Sequence, residues 1–390
     1  MKYEDKMKQF LEKVSILSLS LVLITSFSIS SALPAMFDYY QGYSTGQVEL
    51  LVSLPSFGIM AMLLLNGVLE RIFPERLQLT LGLLVLSISG TAPFWYQGYY
   101  FVFATRLLFG LGVGMLNAKA ISIISERYHG KTRIQMLGFR GSAEVVGASI
   151  LTLAVGQLLA FGWTASFLVY AAGLVVLVLF LLFVPYGHGE DHHAMHKSEV
   201  AEQLTPSMKR LIFFLAIAAS VIVCTNTAIT FRIPSLMIEA GFGDAQLSSL
   251  VLSAMQLIGI LAGVSFSFLI STFKEKLLLV AGITFGLGQI MIALAPSLWL
   301  VVAGSVLGGF AYSIALTTVF QLVSEKIPAK LLNKATSFAV LGCSFGASLT
   351  PFVLSGIGLV TMDGRMTFII LGAWMIATSV IVSILLKKEV

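Results

Sequence analysis

Charge is what this sequence has least of. Only 11% of its 390 residues are Asp, Glu, Lys or Arg, less than half of the quarter or so that a soluble chain needs to cover its surface. A water-soluble globular domain is thereby excluded. Two cysteines are too few for a disulfide framework, and Cys224 and Cys343 fall within apolar runs, where they read as small apolar residues. Histidine is also sparse, and all five fall in the polar stretches between apolar runs. That leaves "GCSFG", Gly342 to Gly346, without the base its resemblance to a hydrolase nucleophile turn would need. "HGKT", His129 to Thr132, lacks both the first glycine and the preceding strand of a phosphate-binding loop. Enzyme chemistry and a nucleotide-driven pump are therefore not expected, nor is any cofactor. A cleavable leader is not expected either: the first apolar run follows the charged "MKYEDKMKQFLEKV" with no small-residue cleavage site.

What is abundant is hydrocarbon: 57% of residues are hydrophobic and the mean hydropathy is +0.93. Runs of about 20 apolar residues, each able to cross roughly 30 Å as a helix, recur over 14–36, 47–69, 77–96, 100–124, 135–160, 163–185, 211–238, 246–271, 276–295, 298–322, 332–358 and 365–386. The expectation is an all-α integral membrane protein of 12 transmembrane helices. Lys and Arg near helix ends stay on the cytoplasmic side. They mark both termini and every second loop, as at Arg71 and Arg76, Arg127, Lys131 and Arg133, and Lys274 and Lys276. Both termini are thus expected to be cytoplasmic. The net charge of +5 is accounted for without a nucleic-acid partner.

The chain repeats. An offset of about 200 residues lays "FPERLQLTLG" (73–82) on "FKEKLLLVAG" (273–282), Pro34 on Pro234, and Gly147-Ala148-Ser149 on Gly346-Ala347-Ser348. Ser44 and Asp244, expected N-caps of the helices that follow, also correspond. Two pseudo-symmetric six-helix bundles follow, 1–185 and 211–390, joined by a cytoplasmic His-containing linker over 186–210. Such symmetry is that of secondary transporters working about a midplane site. In the linker, His188, His192 and His196 would align on a helix and offer a metal site; a solvated linker carrying incidental histidines is the alternative.

Two motifs resemble those of the major facilitator superfamily. Glu70-Arg71 followed by Glu75-Arg76 is similar to the family signature between helices two and three, with Phe73 and Pro74 in place of its Gly and a basic residue. "RLLFGLGVG", Arg106 to Gly114, is similar to the helix-four signature. The resemblance implies the two-bundle fold, alternating access, gating by Glu70, Arg71 and Arg76, and a coupling or folding role for Arg106. The Gly-Pro signature of the family's drug antiporters is missing, because Gly147 is followed by Ala148.

The repeat also sorts residues by role. Arg106, Lys119, Arg140, Glu144 and Arg232 fall on Ser305, Thr318, Ala339, Cys343 and Ala32, so all five charges break the symmetry. An ion inside a bilayer must be paired or face water, and such residues mark substrate or ion routes. Arg140 and Glu144, one helical turn apart, are expected to pair, with Lys119 competing for the same carboxylate. They serve either substrate and proton handling or a structural lock. Glu144 is expected to be the proton carrier, while Asp38 and Glu49 at the outer mouth and Glu126 at the inner mouth are expected to be solvated or to gate. Four basic residues against one acid favour an anion, which Arg captures bidentately. Lys119, Arg140, Arg232, Asn117, Asn226 and Gln256 form the expected substrate set. The resulting reading is a monomeric secondary transporter of the plasma (inner) membrane of bacterial type, moving a small organic anion with proton coupling or exchange. Its alternatives are a proton-coupled multidrug antiporter and a transporter-like sensor without turnover.

Overall fold

The computed structural model describes residues 2–120, 122–185, 205–361 and 363–389, and among them every regular element is helical. The chain opens with α1 (Lys2–Ser18), short 3-10 segments at Leu19–Val22 and Ser28–Ala32, and α2 (Leu33–Tyr39). It continues through α3 (Thr45–Ile72), α4 (Glu75–Thr91), α5 (Tyr99–Ala120), α6 (Ser122–Arg127), α7 (Gly130–Leu158) and α8 (Ala172–Phe183). The second half holds α9 (Pro206–Glu239), α10 (Ala245–Phe273), α11 (Leu277–Ala293), α12 (Leu298–Lys326), α13 (Ala329–Gly358) and α14 (Gly364–Glu389).

Among the described residues, ten stretches are long and apolar enough to cross a membrane, and one of them, Ala245–Ala293, runs for 49 residues. The expected span at 14–36 is not a single helix. Seven Ser or Thr lie between positions 18 and 31. Their hydroxyls compete with the backbone ladder: Ser18 donates to the carbonyl of Ser15 at 2.8 Å and Thr25 to that of Val22 at 2.9 Å. The chain loses helical geometry around Leu23–Phe27. The corresponding helix of the second half, α9, is uninterrupted despite Pro234.

The helix starts follow local chemistry. Ser44 and Gln47 form a reciprocal capping box before α3, the backbone N–H of Gln47 donating to Ser44 Oγ at 3.3 Å and that of Ser44 to Gln47 Oε1 at 2.8 Å. Asp244 accepts from the Leu247 N–H at 2.9 Å ahead of α10.

The residues gather into two compact units, Met1–Ser28 with Leu54–Ala201, and Ile29–Ser53 with Glu202–Val390. The chain leaves the first unit at the end of the irregular stretch and returns to it next to Pro55. Within each unit, glycines let helices approach closely. In the first unit Gly147 of α7 lies against the Leu21 backbone, Gly110 of α5 against Pro55, and Gly173 of α8 against Ser87. In the second, Gly346 of α13 lies against the Ser220 carbonyl, Gly309 of α12 against that of Met255, and Gly372 of α14 against that of Gly286. Each of the three contacts maps onto its counterpart at the offset of 199 or 200 seen in the sequence. The second unit closes over an apolar core that includes Leu215, Ile233, Phe285, Val301 and Phe368.

Candidate functional site

In the first unit, Arg106 of α5 is completely buried. Its guanidinium donates to the Ser26 carbonyl at 2.7 Å. It also sits over the rings of Phe109, Tyr170 and Phe167 at 4.8, 5.4 and 5.9 Å, a cage that stabilises a desolvated cation. Tyr170 donates its hydroxyl to the neighbouring Thr25 carbonyl at 3.2 Å. Both acceptors belong to the irregular stretch, where the Thr25 carbonyl also accepts from the Ser28 N–H at 3.0 Å. Arg106 therefore serves the backbone break, and the cage supplies the counterweight to its charge.

Farther along this unit, Arg140 and Glu144 pair on α7, with Nη2 to Oε1 at 2.5 Å and both side chains largely buried. The pair leaves the arginine half used, because its Nε is buried without a hydrogen-bond partner among the described residues. Gly141, one turn before Glu144, faces open space. Lys119 is buried and lies in the field of Glu75.

A third cluster ties down the start of the linker. Arg76 of α4 donates to the carbonyls of Val184 at 2.5 Å and Leu181 at 3.1 Å and lies over the Phe180 ring at 5.7 Å. Arg127 reaches Glu12 at 3.3 Å and the Pro185 carbonyl at 3.2 Å. Cations at the C-terminal carbonyls of α8 are favourable to its dipole. Beside them the carboxyl groups of Glu75 and Glu126 lie close to each other, with Arg127 and Lys119 nearby. Burial, reinforced by Glu12, pushes the Tyr128 hydroxyl up to about 12, so this phenol stays neutral. The side chains of Glu70 and Arg71 and the whole of His188, His192 and His196 lie outside the described residues.

In the second unit, Arg232 of α9 meets Glu49 of α3 at 3.0 Å. The glutamate is 0% exposed, whereas the arginine side chain retains 21% exposure. This corrects two expectations: Glu49 is not solvated, and Glu144 is not the only carboxylate inside an apolar span. The signal was present in the repeat, since Glu49 falls on Ser249 and so breaks the symmetry as the five charges above do. Arg232, like Arg140, has its Nε buried without a hydrogen-bond partner among the described residues. Thr225, seven residues earlier and therefore on the same face of α9, has a buried hydroxyl in the same state, and the side-chain amide oxygen of Asn226 is in that state too. Asn117 and Gln256 are half-buried, on α5 and α10. Asp38 is exposed, as is Glu126.

Comparison with known proteins places this architecture. The sequence model of the Major Facilitator Superfamily matches residues 16–281 and 215–390. This chain belongs to the major facilitator superfamily. Among curated superfamily relatives, a hexuronate transporter of Bacillus subtilis is 29% identical over 143 residues, which cover 36% of this chain and 34% of that protein. The multidrug resistance protein MdtL of Shewanella oneidensis is 26% identical over 273 residues, 66% of this chain and 68% of the relative. The chain thus spans about a third of the first relative and two thirds of the second. Among solved structures, a D-xylose-proton symporter superposes with a TM-score of 0.73 at 17% identity, covering 96% of this chain and 97% of that one. A bacterial homologue of the lysosomal transporter Spinster gives 0.70 at 15% identity, covering 97% and 95%. Membership in the superfamily makes the chain a multi-pass membrane transporter and not an enzyme.

Proposed function

We propose that this superfamily member is a secondary active transporter that moves a small organic anion across the plasma membrane by alternating access, with proton coupling or exchange. One observation carries the reading. Each unit holds, among its apolar helices, one arginine joined to a largely buried carboxylate and left with a buried Nε that has no hydrogen-bond partner among the described residues: Arg140 with Glu144, and Arg232 with Glu49. A guanidinium presents donors in a fork that matches a carboxylate. A fork used on one side is poised for a second acceptor, and an orphaned buried donor costs about 1–3 kcal/mol until it finds one. Asn226 supplies a further polar contact in the second unit, and Glu144 is the proton carrier of the first. The hexuronate transporter among the relatives handles a substrate class that bears a carboxylate.

The architecture under this proposal is twelve spans with both termini cytoplasmic, arranged as bundles over 1–185 and 211–390. At about 1.5 Å per residue, the 49-residue stretch Ala245–Ala293 would measure roughly 74 Å, more than twice the hydrocarbon thickness. It therefore counts as two spans meeting at Lys274, and the broken helices over 14–36 count as one. The protein functions as a monomer in this reading.

Drug efflux is the second reading, favoured by the longer match to MdtL. A thermal-shift titration of purified protein separates the two, because a ligand of the folded state raises the melting temperature. Glucuronate, but not glucose, is expected to stabilise the wild type, and the shift is expected to vanish in Arg140→Ala or Arg232→Ala. Stabilisation by ethidium instead, retained in both variants and lost in Glu144→Gln, would establish efflux of lipophilic cations in its place.

A further inference from the structure

The ion pair in the second unit is built unequally. Glu49 is wholly enclosed: it sits one turn into α3, next to Val48 and near Leu51 and Val52, all buried. A carboxylate so placed is tolerable only while a cation holds it. Among the described residues, the charged group set against it is Arg232. Arg232 for its part brings one Nη to 3.0 Å from Glu49 Oε1 and is one-fifth exposed along its side chain; among the described residues neither its Nε nor either carboxylate oxygen of Glu49 has a hydrogen-bond partner. The buried partner is thus the carboxylate, and the partner with access to a ligand is the arginine.

One cation then serves two possible anions. A carboxylate arriving at the open side of Arg232 while Glu49 is ionised would place two negative charges on one guanidinium, in surroundings that screen them poorly. Taking up a proton on a Glu49 carboxylate oxygen removes the conflict. The side chain becomes a neutral acid that can stay buried, and the charge of Arg232 passes to the newcomer. No bond other than the O–H is made or broken.

We propose that Glu49 is an internal carboxylate ligand of Arg232 that an incoming organic anion displaces, the exchange taking up one proton at Glu49. This rests on the anion reading above and adds to it a coupling residue and a stoichiometry. It also assigns the proton to the second unit, in addition to any handled by Glu144.

The test is calorimetric titration of glucuronate into the purified full-length protein in two buffers of different protonation enthalpy, from pH 5.5 to 8. In the wild type, binding is expected to take up about one proton per anion at the upper end of the range, and to tighten as the pH falls, as linkage requires. Glu49→Gln, which keeps the shape and removes the competing charge, is expected to take up none. It should also bind at least about tenfold tighter than wild type at pH 8, since the competent fraction no longer limits affinity. Arg232→Ala should lose binding. If Glu49→Gln does not yield monodisperse protein, Glu49→Asp replaces it, with a shorter reach and a weaker hold on Arg232, and a tighter glucuronate Kd than wild type is expected. Unchanged proton uptake and affinity in the Glu49 variant, with binding still dependent on Arg232, would overturn this inference and leave the anion reading standing. Glucuronate that binds neither wild type nor Glu49→Gln, or binds regardless of both Arg140 and Arg232, would remove the anion reading and this inference together.

Discussion

Helices α7 and α13 occupy corresponding places in the two halves of the chain, and they agree and disagree within three residues. Gly147 presses α7 against the Leu21 backbone, and Gly346 presses α13 against the Ser220 carbonyl. Immediately before these crossings α7 carries Arg140 and Glu144, where α13 carries Ala339 and Cys343. The repeat retains the places where backbones touch and leaves the intervening polar positions free to differ. Packing defines the shared scaffold, and the charges at Arg140 and Glu144 fall on one half of it only.

The strongest way to break that comparison is at the crossings themselves. A Cβ added at Gly147 or Gly346 would overlap a backbone carbonyl, which has no rotamer to escape into. Overpacking of this kind costs about 1–3 kcal/mol and more where the neighbour is backbone. Gly147→Ala and Gly346→Ala are both expected to lower the melting temperature steeply and by similar amounts, measured by thermal unfolding in detergent. Gly141→Ala, whose Cβ would face open space, is expected to change little. A variant at one crossing that unfolds while its counterpart is tolerated would show that the two bundles do not share a scaffold.

A smaller effect separates the first apolar segment from its counterpart α9. The first is broken around Leu23–Phe27, and the break coincides with an arginine whose counterpart in the other half is Ser305. That serine spends its hydroxyl on the Val301 carbonyl of its own helix at 2.7 Å. Arg106→Met keeps the apolar bulk and strands the Ser26 carbonyl, which should cost about 1–3 kcal/mol. Ser305→Ala, which removes a hydroxyl bonded only within its own helix, should cost about 0.5–1 kcal/mol. Equal effects of the two substitutions in a chemical denaturation series would mean that Arg106 does not hold the break.

These cases show which parts of the molecule were legible in its sequence. Composition and hydropathy announced a helical membrane protein, and the offset of about 200 was readable because glycine contacts are local constraints that survive as single letters. The i, i+4 pairing of Arg140 with Glu144 was equally local, as were the caps at Ser44 and Asp244. The break in the first segment was not, because its signal is a density of Ser and Thr whose effect depends on where the hydroxyls turn. Nor was the partner of Arg232, which lies 183 positions away on α3. Glu49 sits five residues into its helix, so by position alone it looked like a surface residue; only its mismatch with Ser249 marked it. Lys119 shows the converse. Its competition for Glu144 is an inference from adjacent helices, whereas the charge it demonstrably influences is Glu75.

The finest difference between the halves is in the loop they share most visibly. "FPERL" and "FKEKL" align letter for letter, yet Pro74 sits at φ −61 ahead of α4 while Lys274 takes φ 48 and ψ −127 after α10. A side chain at positive φ pays a steric cost that glycine does not. Lys274→Gly is therefore expected to stabilise the protein by about 1 kcal/mol, net of the entropy glycine adds to the unfolded chain, visible as a small rise in melting temperature with transport unchanged. Lys274→Pro imports the residue of the first half, and its ring holds φ near −65°. It should destabilise the protein if the second loop needs its own turn. A proline variant as stable as wild type would show that the loop can be rebuilt on the pattern of the first, and that the difference between the two turns carries no weight in the fold.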